Sequence, residues 1–503
     1  MSLIAPLTLD TPDTLYSKSY AIIVTETTSQ NTEWQRVVEY LLLKHSQASL
    51  IVYKDNDFLQ LRDQLRQLSN LPKYTCFICQ PTECGRNFIA TIHRLLRTLD
   101  TFTPYLDTMW SIVTGSDASL ALESVKTTNT SDELIITKGL NFTYVNQDLF
   151  EACFTFGDDR NGHWYSKLFG EERSGDEYPK HPATLWCEMF NDIQPDLLVT
   201  SGHGNQYSLE LPFSNGVLCP VADTSCLCAI NNLKEKKLLH DPISSSPNPK
   251  VFLPIGNCLM GFCCGSNCMV TLFMGKLGVK QLCGYTVSTW FGRGGWDVLK
   301  KWTAIPGRHT LTESYFFNQI HMINDIKEYN EDLLKFNLNF TCEDYDCCYN
   351  PEQIKIYTKC STLSNDICGL LYDRDIVACY GDPAFVARFK TIKETVETHF
   401  ECTGENQHRF VITFINDIVD VGPIGSVFTY RIKDYKLLTD NKELKIILSH
   451  NFIFVINPKP KDNEKILKID FQGTIIKKLS QKAIELVKLQ NEDRTNELCK
   501  GEI

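Results

Sequence analysis

In two short segments, an apolar run ends close to a residue whose side chain can take part in catalysis. Residues 197–204 contain His203 and residues 251–261 contain Cys258, and in both segments the reactive residue is surrounded by small residues and glycines. Short apolar runs bounded by such residues are typical of buried parallel strands. If the two runs are strands of one sheet, both side chains lie at the edge where open α/β sheets bind ligands.

A cysteine beside a histidine can carry out nucleophilic acyl transfer. The thiolate attacks an acyl carbon, while a neutral imidazole takes the thiol proton or a cationic one stabilises the thiolate. Backbone N–H groups of Gly204 and Cys258 are candidates for an oxyanion hole, which typically contributes about 3 kcal/mol per donor. The sequence therefore predicts a His203–Cys258 dyad for acyl transfer, and the small residues around it would let a peptide substrate approach the backbone closely.

Further cysteine groups favour competing interpretations, because closely spaced thiolates can hold zinc or an iron–sulfur centre. These groups are Cys76, Cys79 and Cys84; Cys258, Cys263, Cys264 and Cys268; and Cys342, Cys347, Cys348, Cys360 and Cys368. The first group lacks an evident fourth ligand, and a metal in the second would compete with a nucleophilic Cys258. We therefore assign no metal and no cofactor. Two alternatives stay open: a catalytically inactive binding or scaffold protein, and a structural protein stabilised by metal at the cysteines.

Composition limits the partners. The 503 residues carry a net charge of -11, which argues against non-specific binding to nucleic acid or anionic membranes. Neither a signal peptide nor a membrane-spanning run is evident, so we expect a cytoplasmic protein with reduced thiols, with non-classical secretion as the alternative. Oligomeric state is not readable from the sequence.

Alternating strand and helix patterns predict the fold that positions the two residues. Residues 1–133 and 134–400 each read as an α/β unit, which predicts a mostly parallel sheet with helices on both faces. We expect an irregular segment over 214–250, a flexible loop beside the cleft at 292–295 and a cysteine-rich insertion at 339–368. Period-2 patterning over 401–478 predicts a small, immunoglobulin-like β-sandwich, and residues 479–503 a closing helix and tail.

Both catalytic segments resemble a known family. Thr200-Ser201-Gly202-His203-Gly204-Asn205 and Ile255-Gly256-Asn257-Cys258-Leu259-Met260-Gly261 are similar to the histidine and cysteine strands of caspase-haemoglobinase-fold (clan CD) cysteine peptidases, most of all to gingipain-like peptidases. The Trp110–Ala118 and Tyr380–Phe385 stretches resemble two further motifs of that family. A β-sandwich after the second of these motifs matches its architecture.

The resemblance implies roles for individual residues. Cys258 would be the nucleophile, His203 the general acid, and Gly204 and Cys258 the oxyanion donors. The segment after the cysteine strand would line the pocket for the residue preceding the cleaved bond, with Thr286, Ser288 and Trp290 as binding residues. Asp158 and Asp159 are the candidates for the carboxylate that orients the histidine. The side-chain preference of the pocket stays open.

Overall fold

The structure is a computed structural model that describes residues 19–476 except for short gaps. The gaps are 69–70, 101, 127–131, 144, 158–161, 169, 222–225, 341–348, 393–394, 416–420, 441–442 and 461–463. The helix predicted over 479–503 lies outside the described residues. Among the described helices, none combines the length and apolar composition that crossing a membrane requires.

The N-terminal part alternates strands and helices, as its sequence pattern predicts. Its elements are β1 (Tyr20–Thr25), α1 (Glu26–Gln30), α2 (Thr32–Lys44), β2 (Ala48–Tyr53), α3 (Phe58–Gln67), β3 (Tyr74–Ile78), α4 (Arg86–Leu96), β4 (Met109–Val113) and α5 (Ala118–Val125). Strand β1 is buried along its whole length. Its side chains alternate between two cores: Ile22 packs with residues of α2 and α5, and Ile23 with residues of α3 and α4. Helices therefore cover both faces of the sheet here.

The middle of the chain carries the two candidate catalytic segments. Its elements are β5 (Glu133–Ile136), β6 (Lys138–Asn141), β7 (Ala152–Phe156), β8 (Trp164–Leu168), β9 (Glu171–Gly175), α6 (Pro182–Ile193), β10 (Leu197–Gly202), β11 (Gly204–Asn205), β12 (Ser208–Glu210), β13 (Val217–Pro220), β14 (Leu227–Ile230), β15 (Leu238–Ile243) and β16 (Lys250–Asn257). The segment expected to be irregular over 214–250 instead forms much of a five-stranded antiparallel sheet, β11–β12–β13–β14–β15. Its strands are short and interrupted by turns, which hides their period-2 pattern.

The remaining elements complete the α/β body and form the C-terminal unit. They are α7 (Met269–Met274), β17 (Val279–Tyr285), α8 (Arg293–Ala304), α9 (Leu311–Asn330), α10 (Pro351–Tyr357), α11 (Asn365–Asp373), β18 (Val377–Gly381), β19 (Val386–Phe389), β20 (Val396–Gly404), β21 (Gln407–Phe414), β22 (Ile424–Val427), β23 (Ile432–Leu437), β24 (Ile446–Leu448), β25 (Phe452–Val455) and β26 (Ile466–Ile475). Strands β5 and β19 pair in parallel as a separate ribbon.

One large sheet of twelve strands organises the body, in the order β2-β1-β3-β4-β18-β17-β16-β10-β6-β7-β8-β9. Strands β2, β1, β3, β4 and β18 run parallel to one another. Strands β17, β16, β10, β6 and β7 form a second parallel block. The blocks meet at the antiparallel β17–β18 pair. The two α/β units predicted from the sequence thus share one continuous sheet.

Strand β18 ties the blocks together although it follows β17 in the chain by almost a hundred residues. Asp382, directly after β18, is buried and accepts hydrogen bonds from Tyr20 at 2.9 Å and the Ala384 N–H at 3.0 Å. Lys44 lies 3.0 Å from the same carboxylate. The Gly-Asp-Pro segment therefore anchors the late strand to the N-terminal block.

Residues 396–475 form two antiparallel sheets with a core of their own. One sheet has the order β20-β21-β26-β23 and the other β22-β25-β24. Alternate residues of β26, Leu467, Ile469 and Phe471, point into that core, as period-2 patterning predicts.

Candidate active site

His203 and Cys258 follow neighbouring parallel strands. Strands β10 and β16 pair with Ser201 opposite Gly256 and Gly202 opposite Asn257. The next residue along each strand is His203 on one and Cys258 on the other. The two residues therefore leave the same edge of the sheet side by side, where the sequence placed them. His203 is exposed and Cys258 half-buried.

Asn257 links the two strand ends. Its side chain is fully buried, and its Oδ1 accepts a hydrogen bond from the Thr200 hydroxyl at 2.7 Å. Its amide Nδ2 donates to the Gly202 carbonyl at 3.0 Å. Both partners belong to β10, so one side chain holds the backbone before His203 against the backbone before Cys258.

Gly256 allows this close approach, and Gly204 lies in contact with the cysteine turn. A Cβ at Gly256 would overlap the side chain of Ser201 on the neighbouring strand. A Cβ at Gly204 would lie 3.4 Å from Met260 Cγ and 3.5 Å from Asn257 Cβ. The backbone after His203 therefore lies against the turn that carries Cys258.

The turn at Cys258 is held by the segment that follows β17. The Thr289 N–H donates to Cys258 Sγ at 3.3 Å. The Leu259 N–H donates to the Val287 carbonyl at 3.2 Å, with Leu259 in the left-handed region at φ 59°. A left-handed non-glycine residue is costly and persists only where its surroundings hold it. The thiol is thus presented on a constrained turn with a backbone donor directed at its sulfur.

A buried polar group lies behind that segment. Tyr285 donates its hydroxyl to Asp373 Oδ2 at 3.2 Å, and the Gly294 N–H donates to the same oxygen at 2.7 Å. Burial raises the pKa of Asp373 to about 7. Tyr285 ends β17 four residues before Thr289, the residue whose N–H meets Cys258, so this buried group holds the start of that segment.

The predicted binding residues have unequal support. Trp290 is half-buried beside the cysteine turn, with its indole N–H donating to the Tyr349 carbonyl at 2.8 Å. Ser288 is half-buried and its carbonyl accepts from Tyr372. Thr286, the third predicted binding residue, is fully buried, and its hydroxyl donates to the Ile376 carbonyl at 2.9 Å, so its side chain has no exposed surface here.

Two further predictions concern loops beside the site. Asp158 and Asp159, the candidate orienting acids, lie outside the described residues. The flexible loop expected at 292–295 is instead the start of α8, where Gly294 is buried. A Cβ at Gly294 would come within 2.8 Å of Val377, so this glycine serves tight helix–sheet packing rather than flexibility.

The first two cysteine groups approach each other at one loop. The Cys84 thiol donates to the Gln80 carbonyl at 3.3 Å, and the Cys263 thiol donates to the next carbonyl, that of Pro81, at 3.4 Å. Cys76 instead lies beside Tyr20. In the third group Cys360 and Cys368 are described, whereas Cys342, Cys347 and Cys348 are not.

One other cluster has ligand-type atoms close together. In the part of the chain that the structure describes, the single set of three such atoms within 4.8 Å of one another comes from Asp100, Asp107 and His450. His450 Nδ1 lies 2.8 Å from Asp100 and Nε2 lies 3.1 Å from Asp107. Arg431 also lies 3.4 Å from Asp107, and its positive charge makes this an ion-pair cluster rather than a cation site.

Sequence reasoning missed Asn257, Thr289 and Asp373 as parts of the site. Asn257 is recognisable afterwards as the polar residue between Gly256 and Cys258 in an otherwise apolar strand. Thr289 acts through its backbone, so its side-chain type gave no signal. Asp373 comes from a helix more than a hundred residues after Cys258, and only the tertiary structure brings it near.

Comparison with protein-family models, with curated proteins and with solved structures finds no match to this chain.

Proposed function

We propose that this protein is a cysteine endopeptidase whose nucleophile is Cys258 and whose acid–base group is His203. The observation that carries the proposal is the register of β10 and β16, which sets Gly202 opposite Asn257 and so makes His203 and Cys258 adjacent at one sheet edge. An open α/β sheet binds its ligands at the carboxyl ends of neighbouring parallel strands. A cysteine and a histidine placed there can carry out nucleophilic catalysis.

The proposed reaction has two halves. His203 takes the Cys258 proton, and the thiolate attacks the carbonyl carbon of the scissile peptide bond. Backbone N–H groups of Gly204 and Cys258 bind the oxyanion, and His203 then protonates the leaving amine. Water hydrolyses the thioacyl intermediate and restores the thiol.

The second parallel block supports the finer proposal of a caspase-like catalytic unit, gingipain-like in arrangement. Its histidine strand and cysteine strand are sheet neighbours, and its last strand pairs with an antiparallel one. A unit of two antiparallel sheets follows it in the chain. We further propose that Trp290 forms a wall of the substrate pocket, because it directly follows Thr289, whose N–H meets Cys258, and because its indole donor fixes its orientation.

The test is cleavage profiling on a diverse peptide library with four proteins: wild type, Cys258→Ser, His203→Ala and Cys402→Ser. Cys402 is an exposed thiol in the C-terminal unit and serves as the control. The proposal predicts cleavage by wild type and Cys402→Ser, and loss in the other two without loss of folded structure.

Equal cleavage by wild type and Cys258→Ser would exclude the dyad. No cleavage by any of the four folded proteins, with selective peptide binding retained, would favour the inactive binding protein instead. The same library also reports the side-chain preference at the cleaved bond.

A further inference from the structure

Two buried cysteines face each other where the two parallel blocks of the large sheet meet. Cys283 on β17 and Cys379 on β18 are direct partners in the antiparallel register. The Cys283 thiol donates to Cys379 Sγ at 3.3 Å. Neither side chain is more than 1% exposed. The strand pair that joins the blocks therefore carries two thiols in contact, and no step of the proposed peptidase mechanism uses them.

The hydrogen-bond pattern of β17 and β18 explains why these side chains lie so close. Partners in an antiparallel pair alternate between hydrogen-bonded and non-hydrogen-bonded positions. Side chains approach most closely at the non-hydrogen-bonded positions, where the Cα atoms are about 4.5 Å apart. The Thr286 N–H donates to the Ile376 carbonyl at 2.9 Å, so these two residues are a hydrogen-bonded pair. Cys283 and Cys379 lie three positions further along the ladder and are therefore a non-hydrogen-bonded pair.

This geometry suits a disulfide between the two strands. Disulfide-linked cysteines have Cα atoms about 4.4–6.8 Å apart and an S–S bond of about 2.05 Å. From their separation of 3.3 Å, the two sulfurs need to approach by about 1.3 Å. Rotation about the two Cα–Cβ bonds can supply this shift while the strands stay in register.

A metal ion suits this pair less well, because a thiolate metal site needs three or four ligands around one point. In the part of the chain that the structure describes, the single set of three ligand-type atoms within 4.8 Å of one another is that of Asp100, Asp107 and His450. The two thiols of the seam are therefore matched to each other rather than to a metal.

We propose that Cys283 and Cys379 form a disulfide when the chain folds in an oxidising medium, and that this bond ties the two parallel blocks together. Burial and the hydrogen bond with Cys379 raise the pKa of Cys283 well above its usual range. Because the thiolate is the form that reacts, the folded thiols are protected from oxidants. The bond therefore forms before the core closes, and the folded sheet then shields it from reductants.

The proposed reaction balances with glutathione disulfide as the oxidant. The Cys283 thiolate of the incompletely folded chain attacks one sulfur of glutathione disulfide, whose S–S bond breaks and releases one glutathione thiolate. The Cys379 thiolate then attacks the Cys283 sulfur of the mixed disulfide, and the second glutathione thiolate leaves. The two cysteine protons end on the two glutathione thiols. Two protein thiols are oxidised, and one glutathione disulfide is reduced.

The test follows the full chain through refolding. The protein is unfolded in urea with dithiothreitol, freed of both, and refolded in a buffer of glutathione and glutathione disulfide. A second sample of folded, reduced protein is kept in the same buffer for the same time. Free thiols are blocked with iodoacetamide, and both samples are digested with trypsin without reduction. Circular dichroism confirms that the refolded protein is native.

Mass spectrometry identifies the bond without ambiguity. Trypsin places Cys283 in residues 281–293 and Cys379 in residues 375–388, and neither peptide contains another cysteine. We expect these two peptides to be linked in refolded wild type and in refolded Cys153→Ala, a control that removes another buried thiol of the same sheet. The folded, reduced sample should contain no linked peptide.

The bond should also raise resistance to urea. Wild type refolded with glutathione disulfide should unfold at a urea concentration about 0.5 M or more above that of wild type refolded in dithiothreitol. The reason is that a bond between residues 96 positions apart closes a long loop in the unfolded chain. Refolded Cys379→Ala should show no such difference.

Two free thiols in refolded, native wild type would overturn the proposal, and so would pairing of either residue with a different cysteine. Equal linkage in the folded sample would overturn the claim that the bond precedes closure of the core. The linked peptides are read in wild type itself, so the result does not depend on the folding of a variant. Peptidase activity enters none of these readouts, so the disulfide and the dyad fail separately.

Discussion

Asn257 determines, at the scale of single residues, how close the two candidate catalytic residues lie. It is the residue opposite Gly202 in the register, and its side chain bonds both a hydroxyl and a carbonyl of β10. A buried amide with both ends hydrogen-bonded fixes geometry, because leaving either partner unpaired costs the desolvation of a buried polar group. The backbones that lead into His203 and Cys258 are therefore held together by a side chain that takes no part in the proposed reaction.

We expect Asn257→Ala to lower the free energy of unfolding by about 1–3 kcal/mol and to abolish peptide cleavage. The matched control is Asn141→Ala, on the adjoining strand β6. Asn141 is fully buried, and its amide has no hydrogen-bond partner within the described part of the chain. Urea unfolding of both variants gives their free energies of unfolding. The comparison separates the loss due to the two hydrogen bonds of Asn257 from the loss due to the removed side-chain volume. Equal losses in the two variants would contradict the role given to Asn257.

Asp373 makes a second residue-scale prediction, for pH dependence. Its pKa is about 7 in the folded protein and about 4 when unfolded, so the folded state binds the extra proton between these values. Because the folded state binds more protons, this group lowers stability as pH rises from about 4 to about 7, by up to about 1.4 kcal/mol per pH unit. Above about pH 7 the loss of stability that Asp373 causes stays constant.

Replacing Asp373 with asparagine keeps the shape of the side chain and removes its titratable group. We expect the stability of Asp373→Asn relative to wild type to rise between pH 4 and pH 7 and to level off above, as measured by urea unfolding at each pH. A constant difference across that range would contradict a buried, protonated Asp373.

Most helices and strands of the α/β body could be predicted from the sequence. The elements that were missed or misread were missed for physical reasons. The buried strands β10 and β16 were recognisable because parallel strands covered on both faces are continuous apolar runs. The small antiparallel sheet after His203 was missed because its strands have only two to six residues. The start of α8 was misread because Gly294 and Gly295 suggested flexibility, whereas they allow the helix to lie against Ile255 and Val377.

The close packing of β10 on β16 predicts a steric experiment. Gly256→Ala would place a Cβ into the Ser201 side chain, so we expect a loss of about 1–3 kcal/mol of stability together with loss of cleavage. Ser201→Gly in the same chain removes the obstructing side chain. The double variant should recover most of the stability lost by Gly256→Ala. Failure to recover it would show that the loss does not come from a clash with the Ser201 side chain.

The whole molecule is joined at two places, along the sheet and at the C-terminal unit. The second joint is the buried cluster of Asp100, Asp107, Arg431 and His450. Asn451 adds a hydrogen bond from its amide to the Asp107 carbonyl at 3.2 Å. Burial raises the pKa of Asp107 well above its usual range and lowers that of His450 to about 4. These polar groups attach the C-terminal unit together with the ring contacts of Phe452 and Phe454 against Phe316 and Phe317 of α9.

Removing one member of that cluster should weaken the attachment. We expect His450→Leu to cost about 1–3 kcal/mol, because Asp100 and Asp107 each lose the imidazole as a buried polar partner. Calorimetry should then show a separate, earlier transition for residues 396–475. His399→Leu, an exposed histidine of the same unit beside Glu401, is the control and should change little. A single unshifted transition in His450→Leu would contradict this attachment.

The most direct test of the central claim is the alkylation rate of each thiol, resolved by mass spectrometry, in wild type and His203→Ala. Limiting iodoacetamide at pH 6.5 is followed at Cys258 and at the exposed Cys402 in the same sample. We predict that Cys258 reacts at least about tenfold faster than Cys402 in wild type and loses that advantage in His203→Ala, because an adjacent imidazole activates a thiol. Equal rates at the two thiols, or a Cys258 rate that does not depend on His203, would contradict the dyad.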